Sequence, residues 1–148
     1  SADFVDAFEH HLASQYTNEG EDLAIVACGP VVAEAMRAAW ILKSEYGLEV
    51  RVVNLHTLKP IDRTALVKAA AECRRVLTVE EHQVGGLGNQ VAGVIQTSMR
   101  PSEAPVLMDM VGVPDRFGES GAPWELMKYF GLTAEYVAEK ALRLHRRR

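Results

Sequence analysis

The chain has 148 residues, which is the length of one ordinary domain and enough to bury a hydrophobic core. Hydrophobic residues make up 48% of it, charged residues make up 24%, and the formal net charge is -4 at neutral pH. This weakly acidic balance excludes a general electrostatic attraction to nucleic acid or to an anionic membrane. No apolar run approaches the roughly 20 residues of a membrane-spanning helix. The polar, mixed start of the chain predicts no signal peptide.

The two cysteines, Cys28 and Cys73, stand far apart and belong to no CxxC pair. This spacing predicts neither a metal site nor a disulfide framework, so we expect a reducing, cytoplasmic environment. Cys28 is interpreted as a small core residue, because no neighbouring feature supplies a base that would activate its thiol.

Four short apolar runs predict strands that are buried on both faces, as in a parallel sheet. They are Leu23–Cys28, Val50–Leu55, Val76–Glu80 and Pro105–Val111.

Segments of helical periodicity separate these strands. The first predicted helix follows Pro30, carries Val32, Ala35, Met36, Ala39, Leu42 and Tyr46 on its apolar stripe, and stops at Gly47. Asp62 is the predicted N-cap of the second helix and Thr133 that of the last one. Alternating strands and helices predict a parallel sheet covered by helices on both faces. We expect residues 1–20 to be a tether that includes an edge strand, and residues 21–148 to form the domain.

Glu80-Glu81-His82 at the end of the third strand, followed by Gly85, Gly86 and Gly88, is the most conspicuous candidate site. One interpretation is an anion site, since backbone N–H groups at a helix N-terminus attract negative charge and His82 is able to act as an acid or a base. The other is structural: the glycines make a tight turn, and one of the two carboxylates accepts from the free N–H groups.

The loop after the last strand is the second candidate. It places Asp115, Arg116 and Phe117 together, beside Glu119. Such a loop is suited to docking another domain or subunit. Alternatively, Asp115 and Arg116 pair locally and Phe117 covers the edge of the core.

Four segments, taken in order, resemble the C-terminal domain of transketolase, a form shared with deoxyxylulose-phosphate synthase and with the β subunits of 2-oxo acid dehydrogenases. The resemblance spans Gly20 to Leu144, and its last segment is closer to transketolase than to the dehydrogenase subunits. Ala122 departs from the family pattern, which often has Ser or Thr there. The segments are Gly20–Val26, Leu58–Asp62, Val79–His82 with its glycines, and Gly112–Gly121 followed by Gly131–Thr133.

The resemblance implies a three-layer α/β/α sandwich with a mixed, mostly parallel five-stranded sheet. Its first strand, near Ala13–Asn18, is expected to run antiparallel to the others. The strands Leu23–Cys28 and Val76–Glu80 are expected to be neighbours, which places the Gly29 turn beside the Glu80–Gly88 segment.

The resemblance also implies a role in a transferase of the pentose phosphate pathway. In such enzymes thiamine diphosphate and magnesium lie between two preceding domains that this chain lacks, and this chain has no GDG segment with the trailing Asn that marks their binding. We therefore expect the chain alone to bind no cofactor and to be inactive.

Its expected role is to pack against the pyrimidine-binding domains, of the same enzyme or of a separate subunit, in a homodimer that transfers ketol units between sugar phosphates. The predicted interface residues are Glu81, His82, Asp115, Arg116 and Phe117, with His82 a candidate for catalysis. Two alternatives are the C-terminal part of a 2-oxo acid dehydrogenase β subunit and a stand-alone module that binds a nucleotide or another anion.

Overall fold

The computed structural model describes residues 20–55, 61–83, 86–100, 105–113 and 133–147, with only the backbone described at positions 82, 83 and 113. Strands and helices alternate along these residues. None of the described helices is long and apolar enough to cross a membrane. The elements are β1 (Leu23–Ala27), α1 (Val31–Tyr46), β2 (Val50–Asn54), α2 (Arg63–Cys73), β3 (Arg75–Gln83), α3 (Gly86–Ser98), β4 (Leu107–Val113) and α4 (Ala134–Arg146).

The four described strands form one sheet in the order β2-β1-β3-β4, and every neighbouring pair is parallel. All five residues of β1 are buried, because this central strand is covered on both faces. The chain passes from β1 to β2 on one side and then crosses to β3 on the other. The sheet therefore has its topological switch point between β1 and β3, which confirms that these two strands are neighbours.

Helices cover both faces of the sheet and bury a separate hydrophobic cluster on each. The cluster on one face contains side chains of α1 and α4, and the cluster on the other contains side chains of α2 and α3. This arrangement confirms the predicted three-layer α/β/α sandwich. The predicted antiparallel strand near Ala13–Asn18 and the predicted tether of residues 1–20 lie outside the described residues, apart from Gly20 itself.

The helix ends follow local rules that the sequence displays. Gly47 ends α1 in the left-handed conformation at φ 68°, where glycine has no steric penalty. The Asp62 carboxylate accepts from Ala65 N at 3.0 Å, and the Thr133 hydroxyl accepts from Tyr136 N at 3.4 Å. All three predicted caps are confirmed.

Tyr46 was predicted on the buried stripe of α1, and that prediction is wrong. Its side chain is 48% exposed, whereas Ala38 is fully buried on that helix. Tyr46 belongs to the last turn of α1, where its ring lies 6.0 Å from the guanidinium carbon of Arg146. The apolar stripe of α1 that packs on the sheet is therefore shorter than the stripe that the periodicity of the sequence predicted.

A groove of about 350 Å³ runs beside β2, an edge strand of the described sheet, and is lined by Arg51, Val52, Val53, Asn54, Asp62, Ala65 and Lys68. Arg51 is only 5% exposed. Its guanidinium donates to Glu72 at 2.8 Å and to the carbonyl of Gly20 at 3.1 Å. These bonds hold Gly20, which precedes β1, and Glu72 of α2 against β2.

Candidate functional site

The candidate site lies at the carboxyl end of the sheet, where β3 extends beyond β1. The last residue of β1, Ala27, pairs with Val79, so β3 continues for four residues past that pair to Gln83. The sequence predicted that β3 ends at Glu80 and that a loop follows. The strand is longer because it continues to pair with β4: Val79 pairs with Val111 and Gln83 with Val113, so β3 advances four residues while β4 advances two. The pairing of β3 with β4 is therefore irregular between Val79 and Gln83.

Glu80 is turned inward and caps α3. Its side chain is 3% exposed, and its carboxylate accepts from Leu87 N at 3.1 Å and from Gly88 N at 3.2 Å. A carboxylate at a helix N-terminus is stabilised by the helix dipole and satisfies N–H groups that have no partner within the helix. The capping part of the structural interpretation is therefore confirmed, and the start of α3 already holds an anion that belongs to the chain. The predicted tight turn includes Gly85, which lies outside the described residues.

The glycines of α3 let its first turn approach the sheet. A Cβ on Gly86 would lie 3.0 Å from the Glu80 carboxylate. A Cβ on Gly88 would collide with the Met110 side chain and would lie 3.0 Å from the Thr78 hydroxyl. A side chain at either position would therefore require the Glu80 carboxylate, the Met110 side chain or α3 itself to shift.

Glu81 follows Glu80 but points to the opposite side of the sheet, as alternate residues of a strand do. Its side chain is half-buried, and it has no hydrogen bond or ion pair with any residue that the structure describes. A Cβ built on Gly29, which has a φ of 73°, would lie 4.0 Å from the Glu81 carboxylate. The predicted proximity of the Gly29 turn to this segment is confirmed, because the Glu81 carboxylate lies beside the turn that follows β1.

The thiol of Cys28 lies beside these carboxylates and is half-buried. Burial raises its pKa, and the negative charges of Glu80 and Glu81 raise it further. A thiol held in the protonated form is a poor nucleophile, which agrees with the interpretation of Cys28 as a packing residue. Burial also raises the pKa of Cys73 to about 11.

The structure describes only part of the predicted interface. Glu81 and the backbone of His82 lie together at the switch point, while the His82 side chain is not described. Asp115, Arg116 and Phe117 lie outside the described residues, so the predicted second half of the surface stays a prediction.

Glu34 is an important residue that the sequence did not single out. One carboxylate oxygen accepts from Ala134 N at 2.8 Å, which caps α4, and the other pairs with Arg37 at 2.6 Å. The first of these bonds joins residues 100 positions apart. No local pattern indicates a cap at that separation; the only signal is an acidic residue in the first turn of α1.

Comparison with known proteins identifies the family. Residues 13–137 match the family described as transketolase, C-terminal domain. The chain belongs to this family. The match covers most of the chain and includes all four strands of the described sheet.

Three relatives show the kind of protein in which this transketolase C-terminal domain occurs. A putative transketolase C-terminal section of Methanocaldococcus jannaschii is 41% identical over 84% of this chain and 37% of its own length. One of the subunits of an apulose-4-phosphate transketolase from Phocaeicola vulgatus is 39% identical over 93% of this chain and 42% of its own length. A solved split-gene transketolase, an inactive β4 tetramer, is 44% identical with a TM-score of 0.74, covering 87% of this chain and 42% of that one.

These comparisons place the chain as a transketolase C-terminal domain or as part of a split subunit. The chain spans about two fifths of the length of these relatives. The two alternatives, a dehydrogenase β subunit and a stand-alone anion-binding module, are not favoured, since the family and all three relatives are named for transketolase.

Thiamine diphosphate and magnesium are the cofactors implied by the family, and two features of the described residues bear on where they would bind. The glycine-rich helix start holds the Glu80 carboxylate, whose charge would repel a diphosphate at that position. Within the described ranges, no three side chains of His, Cys, Asp or Glu gather into a set that would hold a metal ion.

Proposed function

We propose that this chain completes a thiamine-diphosphate-dependent transketolase, which transfers a two-carbon ketol unit between sugar phosphates. In this proposal the preceding domains bind the cofactor, and the chain supplies the packing surface that assembles the enzyme. The partner is the pyrimidine-binding part of the same enzyme or a separate subunit. The relatives named as a section and as a subunit support the second form.

The observation that carries the proposal is the contrast between the two carboxylates at the switch point. Glu80 caps α3, so the N–H groups of Leu87 and Gly88 already bind a carboxylate of the chain itself. Glu81 is half-buried beside the Gly29 turn and has no partner among the described residues. In an open α/β sheet this edge is where ligands and partners meet the fold. A surface of this kind fits docking better than cofactor binding.

The interface in this proposal consists of Glu81 and His82 at the end of β3, together with Asp115, Arg116 and Phe117 from the loop after β4. The parallel register of β3 and β4 supports this grouping, because the carboxyl ends of both strands lie at the same edge. His82 is proposed to reach the substrate channel only in the assembled enzyme.

The test is a transketolase assay with thiamine diphosphate and magnesium, using a panel of ketose-phosphate donors and aldose-phosphate acceptors. The chain is assayed alone, and then mixed with the polypeptide that carries the preceding domains. We expect activity only in the mixture. Absence of activity in the mixture, despite a complex demonstrated by size-exclusion chromatography, would overturn the proposal.

We also propose a homodimeric assembly, a place in the pentose phosphate pathway and a cytoplasmic location. The two free thiols, Cys28 and Cys73, are compatible with a reducing compartment. Sedimentation of the assembled enzyme measures the subunit number. Fractionation of the source cells measures the location.

A further inference from the structure

The last turn of α4 is held by a clamp of hydrogen bonds at the amino edge of the sheet, which is the end where β3 and β4 begin. This end lies opposite the proposed docking surface. Arg75, the first residue of β3, donates from Nε to the carbonyl of Leu144 at 3.2 Å and from its terminal nitrogen to the carbonyl of Arg147 at 2.6 Å. Arg147 in turn donates to the carbonyl of Met108 on β4 at 3.4 Å. Three hydrogen bonds therefore attach the end of α4 to two strands.

His145 lies in the chain between Leu144 and Arg147, the two residues whose carbonyls accept from Arg75. Its side chain is half-buried, and its Nδ1 atom is buried with no hydrogen-bond partner among the residues that the structure describes. A protonated imidazole carries a hydrogen on each ring nitrogen, so protonation would bury an Nδ1–H group that has no acceptor. The geometry of the clamp therefore favours the neutral ring.

The charges around His145 act in the same direction. Arg75 from β3 and Arg146 from α4 are cationic, and Asp22, which precedes β1, is the anionic group that faces the ring. The Asp22 carboxylate is already held by Glu49 N at 2.7 Å. From α1, the Tyr46 ring contacts Arg146 and brings no negative charge to the imidazole.

We propose that His145 makes the last turn of α4 an acid-sensitive latch. While the imidazole is neutral, the turn stays on the sheet and keeps Leu144, which is fully buried, in the core. When the imidazole gains a proton, the turn detaches so that the charged ring reaches water. Arg75 and Arg147 then lose their carbonyl partners together.

The direction of the pH dependence follows from the same contacts. Burial, and then the charge of Arg75, lower the pKa of His145 below its ordinary value, while Asp22 opposes them. The detached turn has an exposed imidazole with a pKa near the ordinary value of about 6.5. The latch therefore holds above that pH. Its opening constant rises by up to about tenfold for each pH unit below, until the ring of the closed state also titrates.

The test is amide hydrogen exchange on the 148-residue chain between pH 7.5 and pH 5, with rates corrected for the intrinsic effect of pH. We expect the protection of the last turn of α4 to fall with acid, while the protection of α2 stays constant as an internal reference. Unchanged protection of α4 across this range would overturn the proposal.

Two variants separate the latch from a general acid effect. His145→Gln is expected to abolish the acid response of α4, whereas His56→Gln keeps it. Arg75→Gln removes the facing cation and is expected to raise the pKa of His145, measured by NMR of the imidazole ring. Two results would contradict the proposal. One is an acid response of α4 that persists in His145→Gln, and the other is a pKa of His145 that does not change in Arg75→Gln.

Discussion

At the scale of single residues, two adjacent glutamates at the switch point, Glu80 and Glu81, have different roles. Glu80 and Glu81 have the same chemistry, but the pleat of β3 directs them to opposite faces. Glu80 meets the start of α3 and Glu81 meets the Gly29 turn. The inward carboxylate is stabilised by the helix N-terminus, and the outward one remains available to a partner.

This difference predicts that the same substitution destabilises the domain at Glu80 and has little effect at Glu81. Glu80→Gln keeps the size of the side chain but removes the charge that Leu87 N and Gly88 N share. We expect the free energy of unfolding to fall by about 1–3 kcal/mol. The matched control, Glu81→Gln, is expected to change it by less than about 0.5 kcal/mol. Urea denaturation followed by circular dichroism measures both, and equal losses in the two variants would contradict the capping role of Glu80.

At the scale of elements, α3 depends on how closely its first turn approaches β3 and β4. Gly88 is buried under the Met110 side chain and beside the Thr78 hydroxyl, whereas a Cβ on Gly93 would meet nothing within 4 Å. Both glycines lie within the same helix. The helix therefore contains one glycine required by packing and one that packing does not require.

Alanine at these two positions is predicted to act in opposite directions. Gly93→Ala is expected to raise the free energy of unfolding by about 0.5–1 kcal/mol, because alanine favours the helix and adds no collision. Gly88→Ala gains the same preference but collides with Met110, and we expect a net loss of about 1 kcal/mol. Thermal melts of the two variants give the comparison. Stabilisation by Gly88→Ala would show that α3 is not held against the sheet at the described distance.

At the scale of the whole molecule, the two edges of the sheet have different properties. The carboxyl edge presents Glu81 and the Gly29 turn, and the amino edge is closed by the Arg75 clamp on α4. The chain spans about two fifths of the length of these relatives, and in the proposed assembly the rest of the enzyme packs at the carboxyl edge.

This polarity predicts that one charge reversal disrupts assembly without disrupting the domain. Glu81→Lys is expected to weaken binding to the cofactor-binding partner roughly tenfold, because a like charge would face groups complementary to a carboxylate. Glu45→Lys, an exposed change in the last turn of α1, is the matched control and leaves binding unchanged. Titration calorimetry measures the affinities, and circular dichroism checks that both variants remain folded. Equal affinities in the two variants would remove Glu81 from the interface while leaving the proposed function standing.

The alternation of strands and helices, the parallel sheet and the caps at Gly47, Asp62 and Thr133 could all be predicted from the sequence. These features depend on the periodicity of apolar residues and on hydrogen bonds between residues a few positions apart. The family resemblance likewise depends on short segments in a fixed order, and the comparison confirmed it.

Three features could not be predicted from the sequence: which glutamate turns inward, how far β3 extends, and the capping of α4 by Glu34, which is 100 residues away. The same holds for the clamp that joins Arg75 to the end of α4. These features arise where segments distant in the chain come into contact, so the backbone path must be known before a side chain can be assigned its partner. A glutamate that caps a helix and a glutamate without a partner are the same residue in the sequence, because the difference between them lies in the surrounding structure.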